Sequence, residues 1–119
     1  MSYDIQLYMK ETKERAQKLN DDCFFDNEAN FEPFSEQQYA ALRERLLNDG
    51  YVFQFESENG LQFSHSDYSI SALLTDRGLY FTASYDEESI FEAGMTASEF
   101  TDTGEFVKYN PQHNDWEEF

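Results

Sequence analysis

Apolar and polar positions alternate through the middle of the chain, residues 51–85, which are also rich in aromatic and β-branched side chains. A period of two is typical of β-strands that bury one face. Two turn signals interrupt the alternation, Asn59-Gly60 and the TDRG segment at 75–78. The pattern therefore predicts two β-hairpins in series. The short link between them makes one antiparallel meander, because consecutive strands usually lie side by side.

The register of the first hairpin is predicted from the side chains that must share a face. A two-residue loop at the Asn-Gly turn would mix apolar and polar side chains on each face. A three-residue loop, 58–60, would instead pair Phe55 with Phe63 and keep Phe53 on the same face. The alternation thus predicts the three-residue loop, with Gly60 in a left-handed conformation.

The second hairpin is compatible with a loop of either two or four residues. A four-residue loop at 75–78 would place Leu74 opposite Leu79 and Ala72 opposite Phe81. A two-residue loop shifts these pairs but keeps the same side chains on one face. The alternation of apolar and polar residues is therefore compatible with both loop lengths.

Elements on either side of the meander complete the predicted fold. The best helix follows Ser35, because Ser35 and Gln38 have the spacing of a capping box. A helix that begins after Asp86 weakens beyond Phe91, where Gly94 and several Ser and Thr residues follow. The flanking elements are a strand at 2–9, helices at 10–20, 36–48 and 87–91, and a strand at 105–109; the tail has none.

These elements predict one α+β domain, residues 1–119. Its antiparallel sheet would have about five or six strands, with the meander 51–85 at the centre and helices packed on one face. A net charge as negative as −17 often means disorder, but aromatic residues make up 18% of the chain and indicate a folded core. Disordered acidic chains are poor in aromatic residues.

The charge of the chain points to a particular kind of partner. There are 25 acidic and 8 basic residues, a formal net charge of −17. Direct binding to nucleic acid and to anionic membranes is disfavoured, because both need Lys and Arg. A basic protein is the natural complement. The single cysteine, Cys23, and the lack of a visible secretory signal predict a cytoplasmic protein.

The residues that usually carry chemistry are sparse. His65 and His113 are the only histidines, and neither forms a recognisable nucleophile pair with Cys23. The five glycines form no phosphate-binding pattern, and the acidic residues lack the spacing of a calcium loop. The sequence therefore predicts a protein that is not an enzyme and that uses no cofactor or metal.

Two clusters combine acidic with aromatic side chains, as a tight interface with a basic target would. In the first cluster, Asp86 is also predicted to cap the helix that follows it. In the second, the acids flank Phe24 and Phe25. The predicted partner-binding residues are Tyr85, Asp86, Glu87, Glu88, Phe91 and Glu92 in the first cluster, and Asp21, Asp22, Asp26 and Glu28 in the second.

The opening residues SYDIQLY, the capped helix, the strand-rich middle and the small acidic chain together resemble small bacterial immunity proteins of contact-dependent inhibition and related polymorphic toxin systems. The resemblance implies a non-catalytic inhibitor that binds and occludes a cognate toxin domain, often a nuclease. A nuclease must present positive charge to its substrate, and an acidic protein can cover that surface.

Two other classes of protein remain open. A nucleic-acid mimic that inhibits a DNA-binding protein would need carboxylates spaced like phosphates along one face. A small acidic enzyme would need a deep pocket that contains an acid pair with shifted pKa values.

Overall fold

The fold is described from a computed structural model, for residues 2–19, 24, 30–112 and 115–117. Strands and helices alternate irregularly along these ranges. In chain order the elements are β1 (Ser2–Met9), α1 (Lys10–Leu19), α2 (Glu36–Asn48), β2 (Tyr51–Ser57), β3 (Gly60–His65), β4 (Ile70–Leu74), β5 (Leu79–Ser84), α3 (Glu87–Glu99), β6 (Phe106–Asn110) and β7 (Asp115–Glu117).

The strands form a single antiparallel sheet in the order β2-β3-β4-β5-β1-β6-β7. The predicted α+β fold with an antiparallel sheet is confirmed. The predicted meander is present as β2–β5, but it forms one side of the sheet, with β2 at the edge, and is not at the centre. With seven strands described, the sheet exceeds the predicted five or six because the tail contributes β7. The Trp116 ring on β7 packs on the Tyr109 ring of β6, with 4.8 Å between their centroids. This contact stabilises the pairing of the short strand β7 with β6.

Helices α2 and α3 lie on one face of the sheet and bury the larger core between them and the strands. From the helices, Leu42, Leu46, Ala93, Ala97 and Phe100 enter this core. The sheet contributes alternate residues of each strand, as its period of two requires. The sheet residues of the larger core are Ile5, Leu7, Met9, Tyr51, Phe63, Ile70, Ala72, Leu74, Leu79, Phe81, Ala83 and Phe106.

The prediction that the helices pack on one face holds for α2 and α3 but not for α1. Ala16 of α1 packs with a second cluster built on Tyr8 and Tyr109. These tyrosines point to the opposite face from the larger core, because they alternate with Leu7 and Lys108. Helix α1 and the segment that contains Phe31 pack against these rings and shield them from solvent.

The starts of α2 and α3 follow the predicted caps. The Ser35 hydroxyl accepts a hydrogen bond from Gln38 N, and the Gln38 side chain accepts one from Ser35 N, which completes the capping box. Helix α3 runs on to Glu99, beyond the predicted end at Phe91. Burial explains the extension, since Ala93 and Ala97 are inaccessible to solvent and stabilise the second half against the sheet.

None of the described helices is long and apolar enough to cross a membrane.

The predicted register of the first hairpin is wrong. The loop is the two-residue turn Glu58-Asn59, with Ser57 paired to Gly60. The backbone at Gly60 lies so close to β4 that only glycine fits there, since a Cβ atom on Gly60 would lie 2.2 Å from the Leu74 carbonyl oxygen. Gly60 has the predicted positive φ, at +142°.

A β-bulge explains why Phe53 and Phe55 do not lie on the same face of the sheet as predicted. Phe53 pairs with Phe63, but the register shifts before Phe55, which pairs with Gln62. The extra residue is Gln54, and one additional residue reverses the side on which the following side chains lie. Phe53 and Phe55 therefore project from opposite faces of the sheet.

The second hairpin has the four-residue loop, with Leu74 opposite Leu79 and Ala72 opposite Phe81. The Thr75 hydroxyl stabilises this loop, because its oxygen accepts hydrogen bonds from Gly78 N at 2.9 Å and from Arg77 N at 3.2 Å. Side chains of Ser and Thr stabilise such turns by bonding to the backbone just downstream.

Candidate interface on helix α3

An exposed stripe runs along the outer side of α3. Glu87, Phe91, Met95 and Glu99 are four residues apart, so they lie on one side of the helix, and all four are exposed. The Phe91 side chain is 69% exposed and that of Met95 is 46% exposed. The stripe thus presents an apolar pair between two carboxylates.

The N-terminal end of α3 extends this surface. Tyr85 is 63% exposed, and its ring contacts that of Tyr3 with 6.4 Å between centroids. The Asp86 carboxylate accepts a hydrogen bond from Ser89 N at 2.8 Å and so caps the helix as predicted. Glu88 is exposed. Of the first predicted cluster, Asp86 therefore has a structural role, whereas Tyr85 and Glu88 make no comparable contribution to the helix.

Glu92 lies on the side of α3 that faces Tyr51. The Tyr51 ring is 1% exposed, and burial raises the pKa of its hydroxyl, an effect to which the negative charge of Glu92 adds. Glu92 is itself half-buried. It therefore lies at the inner margin of the surface, apart from the exposed stripe.

The acidic side chains in the first half of α3 are not neutralised within the fold. Across the described ranges, Glu87, Glu88 and Glu92 form no ion pair, while Arg45 pairs with Asp102 at 3.0 Å just beyond the end of the helix. At the N-terminus of α3 the helix dipole favours negative charge, so Glu87 and Glu88 cost the fold little. Their charge is available to a partner.

A cavity of about 200 Å³ opens beside Phe91 and Met95, between α3, β1 and β6. Its floor contains Lys108, which is 7% exposed and donates hydrogen bonds to the Ser98 hydroxyl at 3.1 Å and to the Gly94 carbonyl at 3.3 Å. Apolar walls with a few fixed polar groups suit the insertion of a side chain from a partner. The other lining residues are Tyr3, Ile5, Ile90 and Asn110.

The acids of the second predicted cluster, Asp21, Asp22, Asp26 and Glu28, lie outside the described residues, as does Phe25. Phe24 is described, and it is 2% exposed. Its ring packs on Phe31 with 5.8 Å between centroids. Phe24 therefore belongs to the core of the protein.

His65 has a structural role. Its Nδ1 atom accepts hydrogen bonds from the backbone N–H groups of Asp67 and Tyr68, at 3.0 and 3.3 Å. Because Nδ1 is an acceptor, Nε2 carries the proton and donates to the Asp49 carbonyl at 3.1 Å. Both ring nitrogens are thus engaged in holding the end of β3. No group of three or more His, Cys, Asp or Glu side chains in the described ranges is placed to bind a metal ion.

Sequence reasoning missed Met95 and Glu99. The helix was predicted to weaken after Phe91, so the residues beyond it were not assigned to a helical face. The spacing of Glu87, Phe91, Met95 and Glu99 contained the signal. Comparisons of the chain with protein-family models, curated proteins and solved structures find no match.

Proposed function

We propose that this chain is a non-catalytic acidic binding protein whose α3 surface occludes a basic protein partner. The observation that carries the proposal is the exposed stripe of α3, where Phe91 and Met95 lie between Glu87 and Glu99. Large apolar side chains are costly to expose in a contiguous group, and such groups mark interaction sites.

The two kinds of side chain on the stripe have separate roles. The apolar pair supplies area that a partner can remove from water, and exposed aromatic residues are frequent energetic centres of interfaces. The surrounding carboxylates steer a basic partner toward the site and disfavour acidic ones. A net charge of −17 extends this attraction well beyond the contact area.

The particular form that we propose is an immunity protein that acts in the cytoplasm on a cognate nuclease toxin domain. Support comes from the resemblance stated above and from the charge. A nuclease presents Lys and Arg to its phosphate substrate, so an acidic surface with aromatic anchors competes for the same groups. Inhibition then needs only occlusion of those groups.

The test is co-expression in bacteria with toxin domains encoded next to this reading frame, with growth as the readout. The test variant combines Glu87→Gln, Glu88→Gln and Phe91→Ala. We expect the wild-type chain to restore growth and the variant to fail. Asp86 is left unchanged so that the helix cap remains intact.

A matched control removes the same kinds of side chain from another helix. The control variant combines Glu36→Gln, Glu44→Gln and Leu47→Ala on α2, where all three residues are exposed. It should protect as well as the wild-type chain. Equal protection by both variants would exclude the α3 surface, and the absence of both protection and complex formation would overturn the proposed function.

A further inference from the structure

Strand β2 forms one edge of the sheet and lacks most of the protection that such strands usually have. It is seven residues long, whereas the strand at the other edge, β7, has three residues. Proteins commonly protect an edge with Pro or Lys, because its unpaired backbone N–H and C=O groups can pair with another chain. The β2 sequence YVFQFES contains no Pro, Lys or Arg.

The edge also exposes apolar side chains. Val52 is 50% exposed, Phe53 47% and Phe55 56%. Exposure begins directly after Tyr51, which is buried under α3 and against the Phe81 ring. An incoming strand would therefore find the backbone groups of an edge strand and apolar side chains with which to pack. It would displace the exposed 3.4 Å hydrogen bond that the Gln54 side-chain amide donates to the Val52 carbonyl.

The bulge at Gln54 places these side chains on both faces of the edge. Phe53 projects to the same face as Phe63, and Phe55 projects to the opposite face beside Gln62. A strand that pairs with β2 can thus pack one side chain against each phenylalanine. The bulge also bends and twists the edge, which opposes continuous pairing with a long, flat strand. This geometry favours a short segment of matching curvature.

We infer that β2 is a docking site for an extended segment of a basic protein, which adds to the sheet as a further strand. In this binding mode, backbone hydrogen bonds supply affinity and alternate side chains supply specificity. The fitting segment alternates apolar with basic residues. Its basic residues would meet Glu56 and Glu58, which are exposed at the end of the strand and in the turn after it.

Charge decides between a basic partner and a second copy of this chain. Pairing of two copies through β2 would bring two net charges of −17 together, together with two sets of Glu56 and Glu58. Like charges directly opposite each other across a strand pair are destabilising. The same negative charges would attract a basic segment. This inference uses residues apart from the α3 surface and does not depend on the identity of the partner.

The test uses the full chain and a short synthetic peptide that alternates Lys and Val. A second peptide of the same sequence carries N-methyl groups on alternate backbone nitrogens along one edge. It keeps the charge and the side chains but cannot donate those backbone hydrogen bonds. We expect the unmodified peptide to bind at least about tenfold more tightly. Amide chemical shifts of the ¹⁵N-labelled chain should change at residues 52–57 and much less in α3.

Two variants localise the binding. Val52→Thr with Phe55→Thr keeps β-branched or strand-compatible residues on the edge but removes the apolar area, and it should weaken binding of the unmodified peptide by about tenfold. Leu19→Ala with Leu47→Ala, which removes exposed apolar side chains from α1 and α2, is the matched control and should leave this affinity unchanged. The folded state of each variant is checked by the amide spectrum.

Three results would overturn the inference. Equal affinity of the two peptides would show that binding is charge attraction alone. Shift changes confined to α3 would place the basic peptide on the other surface. A dimer of the peptide-free chain in sedimentation, converted to monomer by Val52→Thr with Phe55→Thr, would show that a second copy occupies the edge.

Discussion

The carboxylate of Asp86 accepts a hydrogen bond from the backbone N–H of Ser89 at 2.8 Å, which makes Asp86 the N-cap of α3. Glu87 and Glu88 follow it without such a bond. The three adjacent acids thus divide into one that stabilises the helix and two that are free to contact a partner. Their effects on folding and on binding can be measured separately.

Asp86→Ala should lower the free energy of unfolding by about 1 kcal/mol, because loss of an N-cap leaves a helical N–H without its partner. Asp86→Asn retains an acceptor oxygen and should cost much less. Glu87→Gln is the control and should change stability by no more than roughly 0.5 kcal/mol. Urea unfolding followed by circular dichroism measures all three. Equal losses for Asp86→Ala and Glu87→Gln would contradict the assignment of the cap.

Association with a basic partner should slow steeply as salt is raised. Steering acts over roughly 10 Å at 0.1 M ionic strength and less at higher salt, so screening lowers the association rate. The variant Glu87→Gln with Glu88→Gln should associate more slowly at low salt and approach the wild-type rate at high salt. Stopped-flow mixing at several salt concentrations measures this. An association rate independent of salt would show that steering plays no part.

Gly60→Ala should destabilise the protein more than Gly104→Ala, although both glycines have positive φ, +142° and +78°. A Cβ atom on Gly104 meets nothing within 4 Å, so that variant reports backbone strain alone, about 1–2 kcal/mol. A Cβ atom on Gly60 would overlap the Leu74 carbonyl and force β3 away from β4. We expect a total loss of roughly 3 kcal/mol or more. Comparable urea midpoints for the two variants would argue against the close approach.

Stability should fall at alkaline pH because burial raises the pKa values of Tyr8 and Tyr51 above the ordinary tyrosine value of 10.0. Below pH 10 each hydroxyl is protonated in both states, and its contribution is fully present. Above pH 10 the unfolded chain loses these protons while the folded chain keeps them, so the free energy of unfolding falls. Each such tyrosine contributes about 1.4 kcal/mol per pH unit until the folded pKa is reached.

Tyr51→Phe should therefore make the alkaline loss of stability shallower by about 1.4 kcal/mol per pH unit. Near neutral pH the same change should be close to neutral, because the deeply buried hydroxyl costs desolvation. Urea midpoints measured from neutral to alkaline pH give both quantities. An unchanged alkaline slope would mean that the Tyr51 hydroxyl ionises in the folded protein at its ordinary pKa.

Elements whose signals are local could be predicted from the sequence. The capping box of Ser35 and Gln38 needs only residues three apart, and α2 begins where it predicts. The Asp86 cap was readable for the same reason. The alternation of strands β1 and β5 required only that one face be buried. The density of acids at the start of α3 is also local, and the interface proposed there rests on it. Each of these features depends on residues that are only a few positions apart in the chain.

Features that depend on residues far apart in the chain could not be predicted in this way, because they follow from tertiary packing. The first hairpin contains a close approach of Gly60 to Leu74 and a bulge at Gln54. The alternation of apolar and polar residues in β2 predicts neither feature. Burial of Ala93 and Ala97 against the sheet extends α3 through residues of weak helix propensity. That same packing sends Phe91 and Met95 outward, because one side of a helix that faces a core fixes which side faces solvent.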